Sequence, residues 1–205
     1  MPFDNSQRLK LEKLNELTPA DCQALLYDCD GTLADNMQNH KESYVKTALE
    51  YGFELDPALI DELAGWPTAQ VVAEMSRRYN VPLDIAAFAQ RKGQIFNEHI
   101  EDTQPVSFVV EHLKQHAEKY RIGIVSGGRR QTVEKTLTVL GIRHLIDFIV
   151  CAGETERGKP FPDPFLKAAD ALAVNPGACL VLEDGKAGTD AAAAAGMRWV
   201  RIDKI

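Results

Sequence analysis

The chain has 205 residues, 45% hydrophobic and 26% charged, which is long enough for a core domain with a smaller one inserted into it. Its 23 Lys and Arg against 30 Asp and Glu leave a net charge of −7, so no broad field draws it to nucleic acid or an anionic bilayer. The longest apolar runs fall far short of the ~20 residues that a membrane-crossing helix needs. Any phosphate it handles must therefore meet local positive charge.

Residues 6–17 alternate charge with leucine at helical spacing. A secretory signal would instead carry an unbroken apolar stretch and a small-residue cleavage site, so the expected location is the cytoplasm. Leu9, Leu11, Leu14 and Leu17 give this first helix an apolar face. The helix packs on the core, pairs with a second subunit or stays mobile, in a monomer or a homodimer, and its leucines favour packing. After Thr18 and Pro19, residues 24–27 read as a buried strand ending at Asp28. Further short apolar, β-branched runs occur at 122–125, 148–151, 179–182 and 199–202. Helical patterns at 132–140, 164–173 and 187–195 separate most of them, with Gly141 and Gly196 as stops, and this predicts an α/β parallel sheet. The interval 37–104 holds helical patterns near 44–51, 71–79 and 85–100, punctuated by Pro57, Pro67, Pro82 and Pro105, and no strand pattern. It reads as a helical insertion.

Cys22, Cys29, Cys151 and Cys179 show no C-x-x-C spacing, and three fall in or beside strand-like runs. They read as reduced, mostly buried thiols. His112 and His116 stand four apart, but Lys114 and Gln115 occupy the ground where a zinc protease carries its Glu. A solvated helical face explains that pair better than a metal site.

The chemistry concentrates where strands should end. Asp28-Cys29-Asp30-Gly31-Thr32 follows the first strand, at the edge where open parallel sheets bind ligands. On an extended segment Asp28 and Asp30 share a face, and two carboxylates held together call for a hard divalent cation, Mg²⁺ by preference. Gly31 permits a sharp turn, and Thr32 offers a hydroxyl and an amide to an anion. A calcium loop starting at Asp28 would need Gly and Glu where Leu33 and Asn39 stand, so that reading fails. A second acidic pair, Glu183-Asp184, ends the run 179–182 and is followed by Gly185. From a central strand Asp184 reaches the same cation, with Glu183 binding it or orienting its water. Ser126-Gly127-Gly128 follows another strand and suits a phosphate oxygen. Neither nearby glycine spacing is a nucleotide loop, because Arg129 and Arg130 in one case, and Pro160 in the other, replace the residues such a loop requires. Lys159, in the stiff Gly158-Lys159-Pro160-Phe161-Pro162-Asp163-Pro164 loop, can aim one ammonium at the carboxylates and at a transferring phosphoryl group.

These four segments, in this order, resemble the haloacid dehalogenase superfamily, in its phosphatase and β-phosphoglucomutase-like branch. The resemblance covers the chain from about residue 24. It implies a Rossmann-like core from 1–36 and 105–205, with 1–20 as a helical extension, and a helical cap domain from 37–104 that closes over the site. It implies Asp28 as nucleophile, Asp30 as general acid and base, Ser126 as phosphate-binding hydroxyl and Lys159 as stabilising cation. Metal-binding groups would come from Asp28, Asp30, Glu183 and Asp184. The implied reaction is Mg²⁺-dependent hydrolysis of a small phosphate monoester through an aspartyl-phosphate. Thr32, Gly127, Gly128, His40, Gly65 and Trp66 become substrate-binding candidates. Leu63-Ala64-Gly65-Trp66-Pro67-Thr68 is similar to the Gly-x-Pro-Thr loop of fructose-1-phosphate phosphatase-like members, which points to a sugar phosphate, with Trp66 stacking on it or serving as cap core. The alternatives are a phosphosugar mutase of the same fold and a non-enzymatic phosphometabolite-binding protein. An ungapped match sets Glu98 near the mutase's cap lysine, which speaks against a bisphosphate intermediate. Asn36, Gly185 and Pro105-Val106 depart from the residues common in the family, and none removes a reacting group.

Overall fold

The structure is a computed structural model and describes residues 4–205. Its strands are β1 Ala24–Tyr27, β2 Ala34–Asp35, β3 Gln104–Pro105, β4 Arg121–Val125, β5 Phe148–Val150, β6 Cys179–Glu183 and β7 Arg198–Arg201. Five of them form one parallel sheet in the order β5-β4-β1-β6-β7, while β2 and β3 pair by themselves and antiparallel. The helices are α1 Asn5–Leu17, α2 Met37–Glu50, α3 Ala58–Glu62, α4 Thr68–Tyr79, α5 Ile85–Asn97, α6 Ser107–His116, α7 Arg130–Val139, α8 Asp163–Ala171 and α9 Lys186–Ala194.

Every residue of β1 and β6 is buried, as a strand covered by helices on both faces must be. Alternation then divides the core. Leu25 and Tyr27 point to the face covered by α1, α6 and α7, and Ala24 and Leu26 to the face covered by α8 and α9. Small residues such as Ala168, Ala169, Ala191 and Ala192 bring the second pair of helices close to the sheet. The strand order reverses at β1, which makes the carboxyl edge there the natural place for a ligand. Register puts Tyr27 opposite both Ile124 and Leu182, so the residues following three strands emerge side by side.

The five strands and the three expected core helices appear with ends shifted by one or two residues. Gly141 and Gly196 take φ of +70° and +71° just beyond α7 and α9, the left-handed geometry of a helix stop. Between β2 and β3 lie only helices. Four of them build an apolar cluster of their own from residues such as Tyr44, Leu59, Ile60, Val72, Met75 and Phe88. Two features are additional to the sequence reading, the five-residue α3 and the two-residue pair β2–β3. Both are too short to carry a hydrophobic period. The expected helix over 85–100 ends at Asn97 and is followed by a tight turn at Ile100–Asp102.

Helix α1 starts from Asp4, whose carboxylate accepts the Gln7 amide at 2.8 Å. It buries Leu11 and Leu14 against the core, while Leu9 and Leu17 face outward. A chain of polar contacts ties it to the sheet. The Thr18 hydroxyl donates to the Leu14 carbonyl at 2.9 Å and lies 2.9 Å from His112 Nε2, while Tyr27 Oη lies 2.8 Å from His112 Nδ1. With its single proton committed to Leu14, Thr18 can only accept from Nε2, so Nδ1 is left to accept from the Tyr27 phenol. His112 is therefore a neutral, fully buried core histidine rather than part of the solvated face expected of it, and both its ring nitrogens are taken. Burial, with His116 adding to it, pushes its pKa down to about 3. The unfolded chain takes up this proton near pH 6.5 and the folded one only near the lower value, so the stabilisation is complete above 6.5 and is lost as pH falls. Urea unfolding should show stability declining from pH 7 to 5. The His112→Leu variant should lose up to about 1.4 kcal/mol per pH unit of that slope.

None of the described helices is long and apolar enough to cross a membrane. All four cysteines are buried and free.

Candidate active site

Three loops converge at the carboxyl edge of the sheet. Asp28 follows β1, Ser126 follows β4, and Glu183 and Asp184 close β6. Lys159 comes from the loop before α8 and is only 2% exposed. Its Nζ donates to Asp28 Oδ1 at 2.6 Å, to the Val125 carbonyl at 2.8 Å and to Glu183 Oε1. The other Glu183 oxygen accepts the Gly185 amide at 3.0 Å. Glu183 is thus occupied in aiming Lys159. Burial works against the ammonium, but Asp28 and Glu183 outweigh it and raise the Lys159 pKa. For Asp28 burial dominates over Lys159, and with Glu183, Asp184 and Asp30 nearby its pKa rises well above the usual carboxylate range. Asp184 is pushed up to about 6, by burial first and by Glu183 next.

One oxygen from each of Asp28, Glu183 and Asp184 lies within 4.8 Å of the others. These three carboxylates offer only oxygen donors, a donor set that fits Mg²⁺. Gly31 shapes the cradle. It has φ of +83°, and a Cβ there would lie 2.3 Å from Asp184 Oδ2, so a side chain and that carboxylate cannot coexist. Thr32 has a different part from the one expected of it. It is fully buried and its hydroxyl donates to Asp184 Oδ1 at 3.1 Å.

Asp30 also departs from expectation. Asp30 borders the same cavity as Asp28, but its carboxylate lies outside the acidic cluster. Its Oδ1 accepts Asn36 Nδ2 at 2.6 Å and lies 3.2 Å from His40 Nε2. Burial opposes its ionisation, but His40, Asn36 and Lys92 outweigh burial and bring its pKa to about 2.

Lys92 is the residue the sequence reading missed. It is 4% exposed, and its Nζ lies 2.6 Å from His40 Nδ1 and 4.8 and 4.9 Å from the centres of the Tyr44 and Phe96 rings. Burial pulls its pKa down to about 7. A lysine donating to Nδ1 leaves the imidazole proton on Nε2, facing Asp30. The cue was available, because Lys92 falls on the buried stripe of α5 with Phe88, Ala89, Ile95 and Phe96. Glu98, by contrast, is exposed at the end of that helix.

A small cavity of about 70 Å³ lies between this edge and the inserted helices, bordered by Asp28, Asp30, His40, Gly65, Trp66, Ser126, Gly127 and Gly128. Ser126 Oγ accepts the Gly128 amide at 3.0 Å. Trp66 stands at the rim, 38% exposed. The loop over 64–67 lies directly on three core glycines. A Cβ on Gly127 would come within 3.4 Å of the Gly65 and Trp66 carbonyl oxygens, one on Gly158 within 2.8 Å of Pro67 Cγ, and one on Gly185 within 3.2 Å of the Ala64 carbonyl oxygen.

A parallel sheet with two acidic strand ends, a buried lysine and a helical insertion defines a known class. Over residues 25–202 the sequence matches the haloacid dehalogenase-like hydrolases, and the chain belongs to that family. The fructose-1-phosphate phosphatase YqaB of Escherichia coli is 30% identical over 178 residues, spanning 87% of this chain and 95% of its own. The phosphorylated carbohydrates phosphatase of Thermotoga maritima is 26% identical over 182 residues, 87% of this chain and 83% of its own. Among solved structures, the β-phosphoglucomutase of Clostridium difficile superimposes with a TM-score of 0.77 at 26% identity, covering 87% of this chain and 83% of its own. The chain thus falls in the sugar-phosphatase branch, and its enzyme class is that of the phosphoric monoester hydrolases.

The fit of Gly31 against Asp184 is directly testable. Gly31→Ala should leave the circular dichroism spectrum unchanged and lower kcat by about 10²-fold, the effect of a 1 Å misplacement in a reacting site.

Proposed function

We propose that the protein is a Mg²⁺-dependent phosphatase that hydrolyses a small phosphate monoester, of the sugar-phosphate type, through an aspartyl-phosphate on Asp28. The observation that carries this reading is the meeting of Asp28, Lys159, Glu183 and Asp184 at one sheet edge facing a small cavity. Asp28 attacks phosphorus, forming an acyl-phosphate bond as the ester P–O bond breaks. Asp30 leaves Asn36 and His40, the groups that hold it ionised, takes up a proton and gives it to the departing alcohol oxygen. It then takes one from the water that attacks the acyl-phosphate, releasing inorganic phosphate and restoring Asp28. Lys159 and Ser126 hold the phosphoryl oxygens. Asp28 and Asp184 would hold Mg²⁺, with Glu183 fixing Lys159 beside it, and the cation would supply positive charge to offset that on the transferring group.

In this reading residues 37–104 act as a cap over the core formed by 1–36 and 105–205, and His40, Gly65 and Trp66 face the substrate from it. The four unpaired thiols suit the cytoplasm, where such groups stay reduced.

Incubation with Mg²⁺ and a panel of sugar monophosphates should release inorganic phosphate, and chelation of the metal should stop it. Asp28→Asn should reduce release to background, and Asp30→Asn should lower kcat by about 10²–10⁴-fold. Interconversion of positional isomers that depends on an added bisphosphate, without net phosphate release, would instead establish the mutase.

A further inference from the structure

The alcohol half of the substrate is read by the wall of the cavity opposite Asp28, an argument that rests on the phosphatase reading above. That wall comes from the inserted helices, through Tyr44, Ile60, Leu63, Thr68 and Val71. Its polar groups are the Tyr44 and Thr68 hydroxyls, the His40 imidazole and the Trp66 indole. Tyr44 is 5% exposed, and Thr68 borders the same cavity. Ile60, Leu63 and Val71 supply apolar surface for the C–H faces of a carbon chain.

Among the described residues bordering this cavity none is Lys or Arg, while two, Asp28 and Asp30, are carboxylates. The cations nearby are already committed or lie elsewhere. Lys159 is held by Asp28 and Glu183. Lys92 lies behind the Tyr44 and Phe96 rings and is tied to His40. Lys41 pairs with Asp61 at 2.6 Å. Arg129, next to Gly128, is exposed and outside the wall. A second phosphate or a carboxylate on the alcohol would be taken out of water, set against two like charges, and left without a partner. A hydroxyl in the same place finds the Tyr44 and Thr68 oxygens.

We propose that the leaving group is a small uncharged polyol whose hydroxyls are met by Tyr44 and Thr68, and that the missing cation in this wall rejects esters whose alcohol carries a second anion. Tyr44 and Thr68 are then specificity determinants in the insertion, separate from the groups that act on phosphorus.

The test compares kcat/KM of the Mg²⁺-loaded protein on size-matched pairs: glycerol 3-phosphate against 3-phosphoglycerate, and fructose 1-phosphate against fructose 1,6-bisphosphate, with p-nitrophenyl phosphate as a general substrate. The neutral member of each pair should be favoured by about 100-fold or more. Thr68→Arg, which places a guanidinium in the wall, should shift that ratio toward the anionic member by about tenfold or more. If p-nitrophenyl phosphate is hydrolysed but the pairs differ by less than about tenfold, or Thr68→Arg leaves the ratio unmoved, this inference is wrong and the phosphatase stands. If every ester is inert, the phosphatase reading falls and the inference falls with it.

Discussion

The rest of the structure is organised around a lysine held out of water by two carboxylates. Lys159 and Glu183 are almost completely enclosed, and neither is tolerable there alone. Removing one partner of such a pair costs on the order of 3–5 kcal/mol, because the other is left charged and dry. The parallel register delivers the partners. Tyr27 is aligned with Leu182, so the residues after them, Asp28 and Glu183, leave neighbouring strands at the same height. The apolar strands thus do two jobs at once. They supply the buried sheet, and they fix the spacing at which one ammonium reaches both acids.

A second buried base belongs to the insertion. Lys92, His40 and Asp30 run in line from α5 through α2 to the loop after β1. The two aspartates of that loop, only two positions apart, are consequently engaged by different bodies of the protein. Asp28 is bound to the core lysine, and Asp30 is held by groups that arrive with the inserted helices, with Asn36 at the junction. Such a division suits a reaction in which one carboxylate meets phosphorus and the other handles protons.

Much of this was legible in the residues. Strands 24–27 and 179–182 were plain because a strand covered on both faces is apolar throughout, and the acidic and small residues beyond them marked the ligand edge. Other elements left no trace in periodicity. The pair β2–β3 has two residues per strand and is defined by backbone pairing alone. Helix α3 is little more than one turn. The parts taken by Thr32 and Asp30 depend on how the chain turns after Tyr27, which alternation along an ideal strand does not describe. Lys92 was hidden for another reason. Its significance lies in a partner 52 positions away, and an ungapped alignment looked for a cap lysine at Glu98 instead.

One contact between the insertion and the core is made where side chains are missing. Carbonyl oxygens of residues 64 to 66 and the Pro67 ring rest on Gly127, Gly158 and Gly185. A footing of this kind is indifferent to the identity of most residues that stand on it, because main-chain atoms are the same in every sequence. Helices α2 to α5 are accordingly free to diverge in their inward-facing residues and still seat on an unaltered base. The residues that line the cavity from these helices can then change without disturbing that footing, whereas a side chain at Gly158 would collide with the Pro67 ring.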